Sequence, residues 1–215
     1  MGSEIDFLSK YPRANRDPAA RAHEKTPGDI ALARQFGPEF FDGERRHGYG
    51  GYRYHPDRWC LVVADMLTHY KPESVLDVGC AKGYMLLEFL LQAPWLRVSG
   101  VDVSTYAINR APTAVRSAVR WGMADMLDFD PGEFDLAVSI NTLHNLEVAD
   151  CIDALQELAR VSRHQYVTVD AYRTEEERKR VYDWNLTART ILHVDDWLGL
   201  FAEAGYEGDY GFWMP

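Results

Sequence analysis

The sequence predicts a doubly wound α/β fold, in which a mostly parallel sheet carries helices on both faces. Short apolar runs that fit buried strands alternate with stretches in which apolar residues recur at helical spacing. Residues 74–78 form one such run and lead through a glycine turn into a helical pattern, and a second short strand ends in Asp102. This order of strand, tight loop, helix and strand is a βαβ unit, which builds parallel sheets. The length of 215 residues and the 47% hydrophobic content are enough for one full core around such a sheet.

The N-terminal quarter differs from the rest of the chain. Residues 1–28 mix charged residues with proline and glycine, which indicates a mobile arm or an irregular surface segment without chemistry. Residues 30–36 fit a short helix, which Gly37 and Pro38 end. Residues 40–54 are rich in glycine, arginine and aromatics, and we expect a lid there, because glycines supply hinge freedom and aromatic rings attract a cationic ligand. The alternative is a surface loop, and the candidate lid residues are Tyr49, Tyr52 and Tyr54.

The main domain continues the alternation of helices and strands. Pro56 fits the first position of an amphipathic helix that leads into the first strand. After Asp102, Ser104 is a suitable N-cap for a short helix. Further elements are expected as strands at residues 118–122, 134–140 and 165–169 and as helices at 150–161 and 174–180.

The C-terminal part leaves the last edge of the sheet open. A late helical pattern ends at Gly205, and residues 206–215 are enough for a single strand. The sheet therefore lacks an edge strand, or residues 186–192 supply it. We divide the chain into an N-terminal arm and lid, residues 1–54, and a main domain, residues 55–215, with an insertion around 172–193.

The net charge of −10 limits the classes of partner. An acidic surface disfavours broad electrostatic binding to nucleic acid or to an anionic membrane, so we expect a small-molecule substrate and leave a homodimer open. The three cysteines are odd in number and scattered, which is typical of buried thiols in a reducing compartment. The first thirty residues contain no apolar run long enough for a signal sequence or a membrane span. The expected location is the cytoplasm.

The glycine turn after the first strand indicates a nucleoside ligand. Glycine lets the backbone approach a ligand closely, and the following helix offers free N–H groups at its N-terminus. A carboxylate at the next strand end, here Asp102, can accept both hydroxyls of a ribose. Ala81 and Tyr84 stand where a dinucleotide fingerprint has its second and third glycines. The spacing therefore disfavours NAD.

The run Asp77-Val-Gly79-Cys-Ala81-Lys-Gly83 resembles the acidic-x-G-x-G-x-G signature of the class I S-adenosylmethionine (SAM) dependent methyltransferases, a Rossmann-like family. Ala81 is the departure inside the loop. Further similar stretches follow in the family's order, at Asp102 and at residues 122–126, 134–141 and 195–206. The resemblance covers roughly residues 70–208 and implies SAM as cofactor. The cofactor-binding residues that it implies are Asp77, Gly79, Ala81, Gly83, Asp102, Val103, Ala124, Asp125, Met126 and Asn141.

Methyl transfer from a sulfonium requires alignment and exclusion of water, and a hydroxyl acceptor must also lose a proton. Two histidines are candidate bases. His144 follows the fourth strand, although a histidine there is also common in the family as a packed residue, and His193 precedes the late helix. Asn141 and Asp170 end adjacent strands and can in principle hold Mg²⁺, but this ligand set is too sparse, and we expect no metal.

Residues 172–193 are the candidate substrate wall, because they follow the fifth strand and interleave aromatic with hydrogen-bonding side chains. Such a wall favours a hydroxylated acceptor, for example a sugar, a sugar nucleotide or a natural-product intermediate. A nucleic-acid acceptor is also disfavoured by the run Asn141-Thr-Leu-His144, where amino-modifying DNA enzymes of the family carry N-P-P-Y or D-P-P-Y. A SAM-binding regulatory or partner subunit without its own catalysis stays open as an alternative. The residues singled out in this wall are Tyr172, Trp184 and Arg189.

Overall fold

We analysed a computed structural model that describes residues 2–12 and 17–214. Its strands are β1 Ser74–Val78, β2 Arg97–Asp102, β3 Val119–Trp121, β4 Phe134–Ile140, β5 Ser162–Tyr172, β6 Leu192–His193 and β7 Asp209–Trp213. They form one sheet in the order β3-β2-β1-β4-β5-β6, and β7 also pairs with β5. All of these pairings are parallel. The predicted fold class is confirmed.

The helices cover both faces of the sheet. They are α1 Pro18–Glu24, α2 Pro27–Ala33, α3 Pro38–Asp42, α4 Pro56–Tyr70, α5 Tyr84–Gln92, α6 Thr105–Ile108, α7 Val148–Val161, α8 Glu175–Trp184 and α9 Val194–Glu203. Short 3₁₀ turns lie at Phe7–Lys10, Arg45–His47 and Leu143–Asn145. Among the described helices, none has the length and apolarity needed to cross a membrane.

Two hydrophobic layers hold the sheet between its helices. Val62 of α4 packs in one layer, together with residues of α5, and Leu155 of α7 packs in the other, together with residues of α9. Within β1, Val75 joins the first layer and its neighbour Leu76 joins the second. Successive side chains of a strand point to opposite faces, so a strand covered on both sides must be apolar throughout.

The open edge of the sheet is paired in a way that the sequence does not indicate. β7 lies beside β5, and its Tyr210 exchanges backbone hydrogen bonds with Ser3 and Ile5 around a parallel bridge to Glu4. Of the predicted alternative strand at residues 186–192, only Leu192 is in a strand, the two-residue β6 that pairs with the carboxyl end of β5. The edge of β7 is therefore covered by the N-terminal segment.

The expected irregular arm is largely helical where the structure describes it. Asp17 caps α1 through the backbone N–H of Ala20, and Thr26 and Asp29 form a capping box at α2. Phe7 and Leu8 are buried against the sheet layer that contains α4. The prediction of a mobile or irregular arm is therefore wrong for these residues, and the cap signatures at positions 17 and 26 were the signal that could have corrected it.

Candidate active site

A cavity of about 490 Å³ opens at the carboxyl ends of the central strands. Its wall includes Asp77 of β1, Asp102 of β2, Asn141 directly after β4 and Asp170 of β5. The strand order reverses between β1 and β4, and ligands of open α/β sheets bind at such a switch point. The volume is within the range of small-molecule sites.

The glycine loop after β1 exposes backbone that carries little or no side chain to this cavity. Gly79 has a φ of +85°, and a Cβ there would lie 2.1 Å from the Thr142 hydroxyl oxygen, so no other residue fits. Ala81 also has a positive φ, of +51°, and its N–H donates to Asp102 Oδ2 at 2.7 Å. The departure from glycine at position 81 is thus accommodated in a left-handed conformation.

The Asp102 carboxylate is fixed at the end of β2 by backbone donors. Its Oδ1 accepts the N–H of Ser104 at 2.7 Å, and its Oδ2 accepts the N–H of Ala81. Burial raises the pKa of this carboxyl above its usual value, and the two hydrogen bonds act against that rise. A carboxylate oxygen has capacity for a second donor, so this group can still accept ligand hydroxyls from the cavity.

Asp77 is a buried carboxyl group without a hydrogen bond from the described residues. Burial, with a further contribution from the charge of Asp102, raises the pKa of Asp77 to about 8. A cation placed in the cavity beside it would favour its charged form and lower that pKa. This side of the cavity is therefore suited to a ligand with both hydroxyl and cationic groups.

An N-terminal cover, which we define as residues 36–54, lies against the glycine loop. The Lys82 ammonium group donates to both Asp42 carboxylate oxygens, at 2.8 and 2.7 Å, and to the Tyr52 carbonyl at 2.8 Å. The Tyr106 hydroxyl donates to the same carboxylate at 2.7 Å. Lys82 is buried, so its three ammonium donors are used up in holding the cover in place.

The opposite wall joins the N-terminal helices to the end of α8. The guanidinium groups of Arg21 and Arg45 lie 4.5 and 5.2 Å from the centre of the Trp184 ring. Lys25 donates to the carbonyl oxygens of Tyr182, Asp183 and Asn185, which satisfies exposed acceptors at the C-terminus of that helix. Residues 18–54 therefore contact both the glycine loop and the end of α8.

His144 lines the cavity, but its geometry is unsuited to the predicted role of base. Its Nδ1 accepts the backbone N–H of Asp170 at 2.9 Å, so the neutral ring carries its proton on Nε2. Burial lowers the pKa of the imidazole, which keeps the ring neutral. The free nitrogen is thus a hydrogen-bond donor rather than a proton acceptor.

His193 lies outside the cavity wall and caps a helix. Its Nδ1 accepts the N–H of Asp195 at the start of α9, and its Nε2 lies 3.2 Å from the Arg173 carbonyl oxygen. Both ring nitrogens therefore have partners on the surface. The predicted place of His193 at the acceptor is not the place that the structure gives it.

We expect His193→Ala to act as the loss of a helix cap. It should cost about 0.5–2 kcal/mol of unfolding free energy, as other cap replacements do, and leave cofactor affinity unchanged. Thr174→Ala removes the cap of α8 and is the matched control. Chemical denaturation and calorimetric titration check both variants. A large loss of turnover at unchanged stability would instead show that His193 takes part in the reaction.

The predicted site residues divide between the cavity wall and its surroundings. Those in the wall are Asp77, Gly79, Ala81, Asp102, Val103, Ala124, Asp125, Asn141, His144, Tyr49, Tyr52 and Trp184. Those outside it are Gly83, Met126, His193, Tyr54, Tyr172 and Arg189. Gly83 instead starts α5, Met126 is exposed, and Tyr54 donates to Glu88 of α5. Tyr172 packs against His193, and Arg189 pairs with Glu147.

Several wall residues were missed by the sequence analysis. Examples are Phe40 and Phe41 of α3, Arg21 of α1, and Asn145 after β4. The aromatic pair lay inside the predicted lid, which was a usable signal. Arg21 lay in a segment for which no chemistry was expected, and the structure places it in the cavity wall.

Comparison with known proteins finds methyltransferases. A family model for a methyltransferase domain matches residues 75–165. Methyltransferase ungE' of Aspergillus campestris is 27% identical over 230 residues, which cover 92% of this chain and 62% of that protein. The malonyl-[acyl-carrier protein] O-methyltransferase of Neorickettsia risticii is 28% identical over 102 residues, which cover 47% of this chain and 40% of that protein. The chain thus spans less than two thirds of the length of these relatives.

Solved structures support the fold. The YcgJ protein of Bacillus subtilis is 19% identical with a TM-score of 0.53, and the match covers 66% of each chain. A chain from the complex with the Haloferax volcanii Trm112 methyltransferase activator is 21% identical with a TM-score of 0.52, covering 90% of this chain and 77% of that one. Together, the matching domain model and the named relatives support a class I SAM-dependent methyltransferase domain in this chain, and the parallel sheet with its glycine loop agrees with that fold.

Proposed function

We propose that this protein transfers the methyl group of SAM to a small-molecule acceptor bound in the cavity. The observation that carries the proposal is the Asp102 carboxylate, which two backbone N–H groups hold at the cavity edge beside the glycine loop. A carboxylate in this setting fits the two hydroxyls of the cofactor's ribose. The bare backbone of Gly79 leaves room for the rest of the nucleoside.

The other cavity residues fit the remaining parts of the cofactor. Ala124 and Asp125 are assigned to the adenine side, and Asp77 to a cationic group of the amino-acid end. When bound, SAM supplies an electrophilic methyl group on a positively charged sulfur. The protein's tasks are to align the acceptor with that carbon and to exclude water, for which the N-terminal cover is well placed.

A small acceptor follows from the size and charge of the site. The cavity of about 490 Å³ must hold both the cofactor and the acceptor. Trp184 belongs to the cavity wall, and the net charge of −10 works against a polyanionic substrate. Sugars, sugar nucleotides and natural-product intermediates are the acceptor classes that we propose to screen first.

We expect S-adenosylhomocysteine (SAH), the demethylated product, to stabilise the protein, and NAD to have no effect. A ligand that binds only the folded state adds about 2.7 kcal/mol at a concentration of 100 Kd. A thermal-shift assay with both ligands measures this. Stabilisation by NAD and none by SAH would overturn the proposal. Stabilisation by SAH without methylation of any compound in a labelled-methyl screen would favour a SAM-binding partner subunit.

We expect Asp102→Ala to weaken SAH binding by roughly 1.5–3 kcal/mol, because charge-assisted hydrogen bonds to the ribose are lost. Asp102→Asn is the matched control, since it keeps the shape and one acceptor oxygen and should lose less. Calorimetric titration gives the affinities, and circular dichroism confirms that each variant is folded. An unchanged affinity of the folded alanine variant would contradict the ribose assignment.

A further inference from the structure

Asp170 belongs to the cavity wall, and one of its carboxylate oxygens has no hydrogen-bond donor among the residues that the structure describes. Its side chain is 6% exposed. Asn185 donates to Oδ2, whereas Oδ1 lies 3.9 Å from His144 Nδ1, which is too long for a hydrogen bond. Within the described residues, no other group bonds to Oδ1, and no lysine or arginine forms an ion pair with Asp170.

A buried carboxylate oxygen without a hydrogen bond or a cation is costly, and each such group in a native structure has a specific cause. The surroundings of Asp170 hold it rigidly. Its backbone N–H donates to His144, and its carbonyl oxygen accepts the indole N–H of Trp197 at 3.1 Å. The direction of the carboxylate is then set by Asn185. The Asp170 carboxylate is therefore already oriented to accept a proton or a hydrogen bond from a hydroxyl group.

The position of Asp170 in the sheet separates it from the cofactor residues. It lies on β5, two strands from Asp77 and three from Asp102. With neighbouring strands about 4.8 Å apart, the lateral offsets across the sheet are roughly 10 and 14 Å. Asp170 also lies four residues beyond Tyr166, the β5 residue that is in register with Asp77 through Val138. The acceptor must lie on the far side of the methyl group from the nucleoside, because the displacement is in line. The β5 side of the cavity is where that requirement puts it.

Neither histidine is placed to act as the base, so Asp170 is the remaining candidate on this side of the cavity. His144 presents an N–H to the cavity, and His193 is outside the wall. The His144 imidazole and the Asp170 carboxylate both line the cavity, so its wall offers one donor and one acceptor. That pair matches a hydroxyl group, which both accepts and donates a hydrogen bond.

We propose that Asp170 is the general base of this enzyme and that its acceptor is a hydroxyl group, an inference that rests on the proposed methyl transfer. The acceptor oxygen forms a bond to the methyl carbon as the carbon–sulfur bond breaks, and sulfur keeps that electron pair. The hydroxyl proton passes to Asp170 Oδ1. SAH is neutral at sulfur, the acceptor becomes a methyl ether, and the proton leaves later to water.

The hydroxyl acceptor proposed here differs from the acceptor in the name of one relative. The Neorickettsia risticii relative is named for O-methylation of a malonyl group, whose free end is a carboxylate. A carboxylate acceptor needs no base and would be repelled by a buried, uncompensated Asp170. We therefore assign this cavity to alcohols or phenols.

The test uses phenol and 4-nitrophenol as acceptors with radiolabelled SAM, at a pH where only 4-nitrophenol is ionised. Asp170→Asn keeps the shape and can still accept from Asn185. With phenol it should lower the single-turnover rate by roughly 10²–10⁴. With 4-nitrophenol the rate should be unchanged or higher, because that acceptor has already lost its proton and the variant no longer repels the phenolate. Asp183→Asn removes the same charge from α8 outside the cavity wall, where Asp183 pairs with Lys179, and should leave both rates within a few-fold.

A second readout needs no turnover. The absorbance of 4-nitrophenol bound to the SAH complex reports its ionisation. The Asp170 carboxylate should keep the bound phenol neutral to a higher pH in the natural protein than in the Asp170→Asn variant. If that variant loses the SAH-dependent thermal shift, Asp170→Ser gives the same comparison.

The outcomes separate this inference from the proposed function. Equal losses with both acceptors, no loss with either, or the same absorbance titration in both proteins would overturn Asp170 as the base. No transfer to either acceptor by the natural protein, with SAH still stabilising it, would overturn the hydroxyl acceptor and leave cofactor binding intact. Failure of SAH to stabilise the natural protein would overturn the methyl-transfer proposal itself.

Discussion

Lys82→Met is expected to destabilise the protein by roughly 2–4 kcal/mol and to release the N-terminal cover from the glycine loop. Removing one partner of a fully buried ion pair typically costs about 3–5 kcal/mol, because the other charge is left without compensation. Here the Asp42 side chain is 31% exposed, so water recovers part of that cost. Methionine keeps most of the packing of the lysine stem, so the effect reports the charge and its three hydrogen bonds.

Two measurements check this expectation. Urea denaturation gives the loss of stability, and hydrogen exchange of residues 48–54 reports the release of the cover. Lys10→Met is the control, because the Lys10–Asp65 ion pair is largely exposed and should contribute less than about 1 kcal/mol. If Lys82→Met changed stability no more than the control, and exchange in the cover stayed slow, the Lys82–Asp42 contact would not hold the cover.

The central strands could be predicted from the sequence almost to the residue. The runs at 74–78 and 134–140 coincide with β1 and β4, because a strand buried on both faces is a short apolar run with turn residues at its ends. β5 extends further in both directions than the predicted 165–169. Its additional residues include Arg163 and His164 near its start, which are exposed and do not read as a buried strand.

The residues proposed for the cofactor side of the site could also be predicted from the sequence, because their positions depend only on strand ends and one tight loop. Gly79, Ala81 and Asp102 follow directly from strand ends and a tight loop, and all three line the cavity. Their roles toward SAM stay predictions. Lys82 is the instructive contrast. A lysine in a glycine loop is typical of a solvated position, and only the folded chain shows that Asp42, forty positions earlier, is beside it.

The acceptor side could not be predicted because it depends on hydrogen-bond direction. His144 was a reasonable candidate from its place after β4, and the structure does put it in the cavity wall. Which of its nitrogens carries the proton is decided by the backbone N–H of Asp170, a contact between two neighbouring strand ends. No spacing in the sequence contains that information, so the choice between His144 and Asp170 required coordinates.

The affinity for SAM is expected to rise with pH between 6 and 8, because Asp77 must lose a proton to bind a cationic cofactor. The pKa of Asp77 is raised to about 8 by burial and by the charge of Asp102. A bound cation favours the carboxylate and lowers that pKa, so binding below pH 8 releases a proton. The dissociation constant should fall by up to tenfold for each pH unit and become level above pH 8.

In the free protein, a rise in pH acts through Asp77 in the opposite direction, because it lowers the free energy of unfolding. The usual pKa of an aspartate is 3.8, so between about pH 4 and 8 the folded state binds a proton that the unfolded state has lost. The Asp77 contribution to the free energy of unfolding therefore decreases as pH rises through this window.

Asp77→Asn should remove both trends, with a flatter stability profile and an affinity for SAM that no longer rises with pH. Titration calorimetry in two buffers of different ionisation enthalpy measures the released proton directly. A natural protein that binds SAM equally well at pH 6 and 8, or an asparagine variant with the same slope as the natural protein, would show that Asp77 does not couple proton release to cofactor binding.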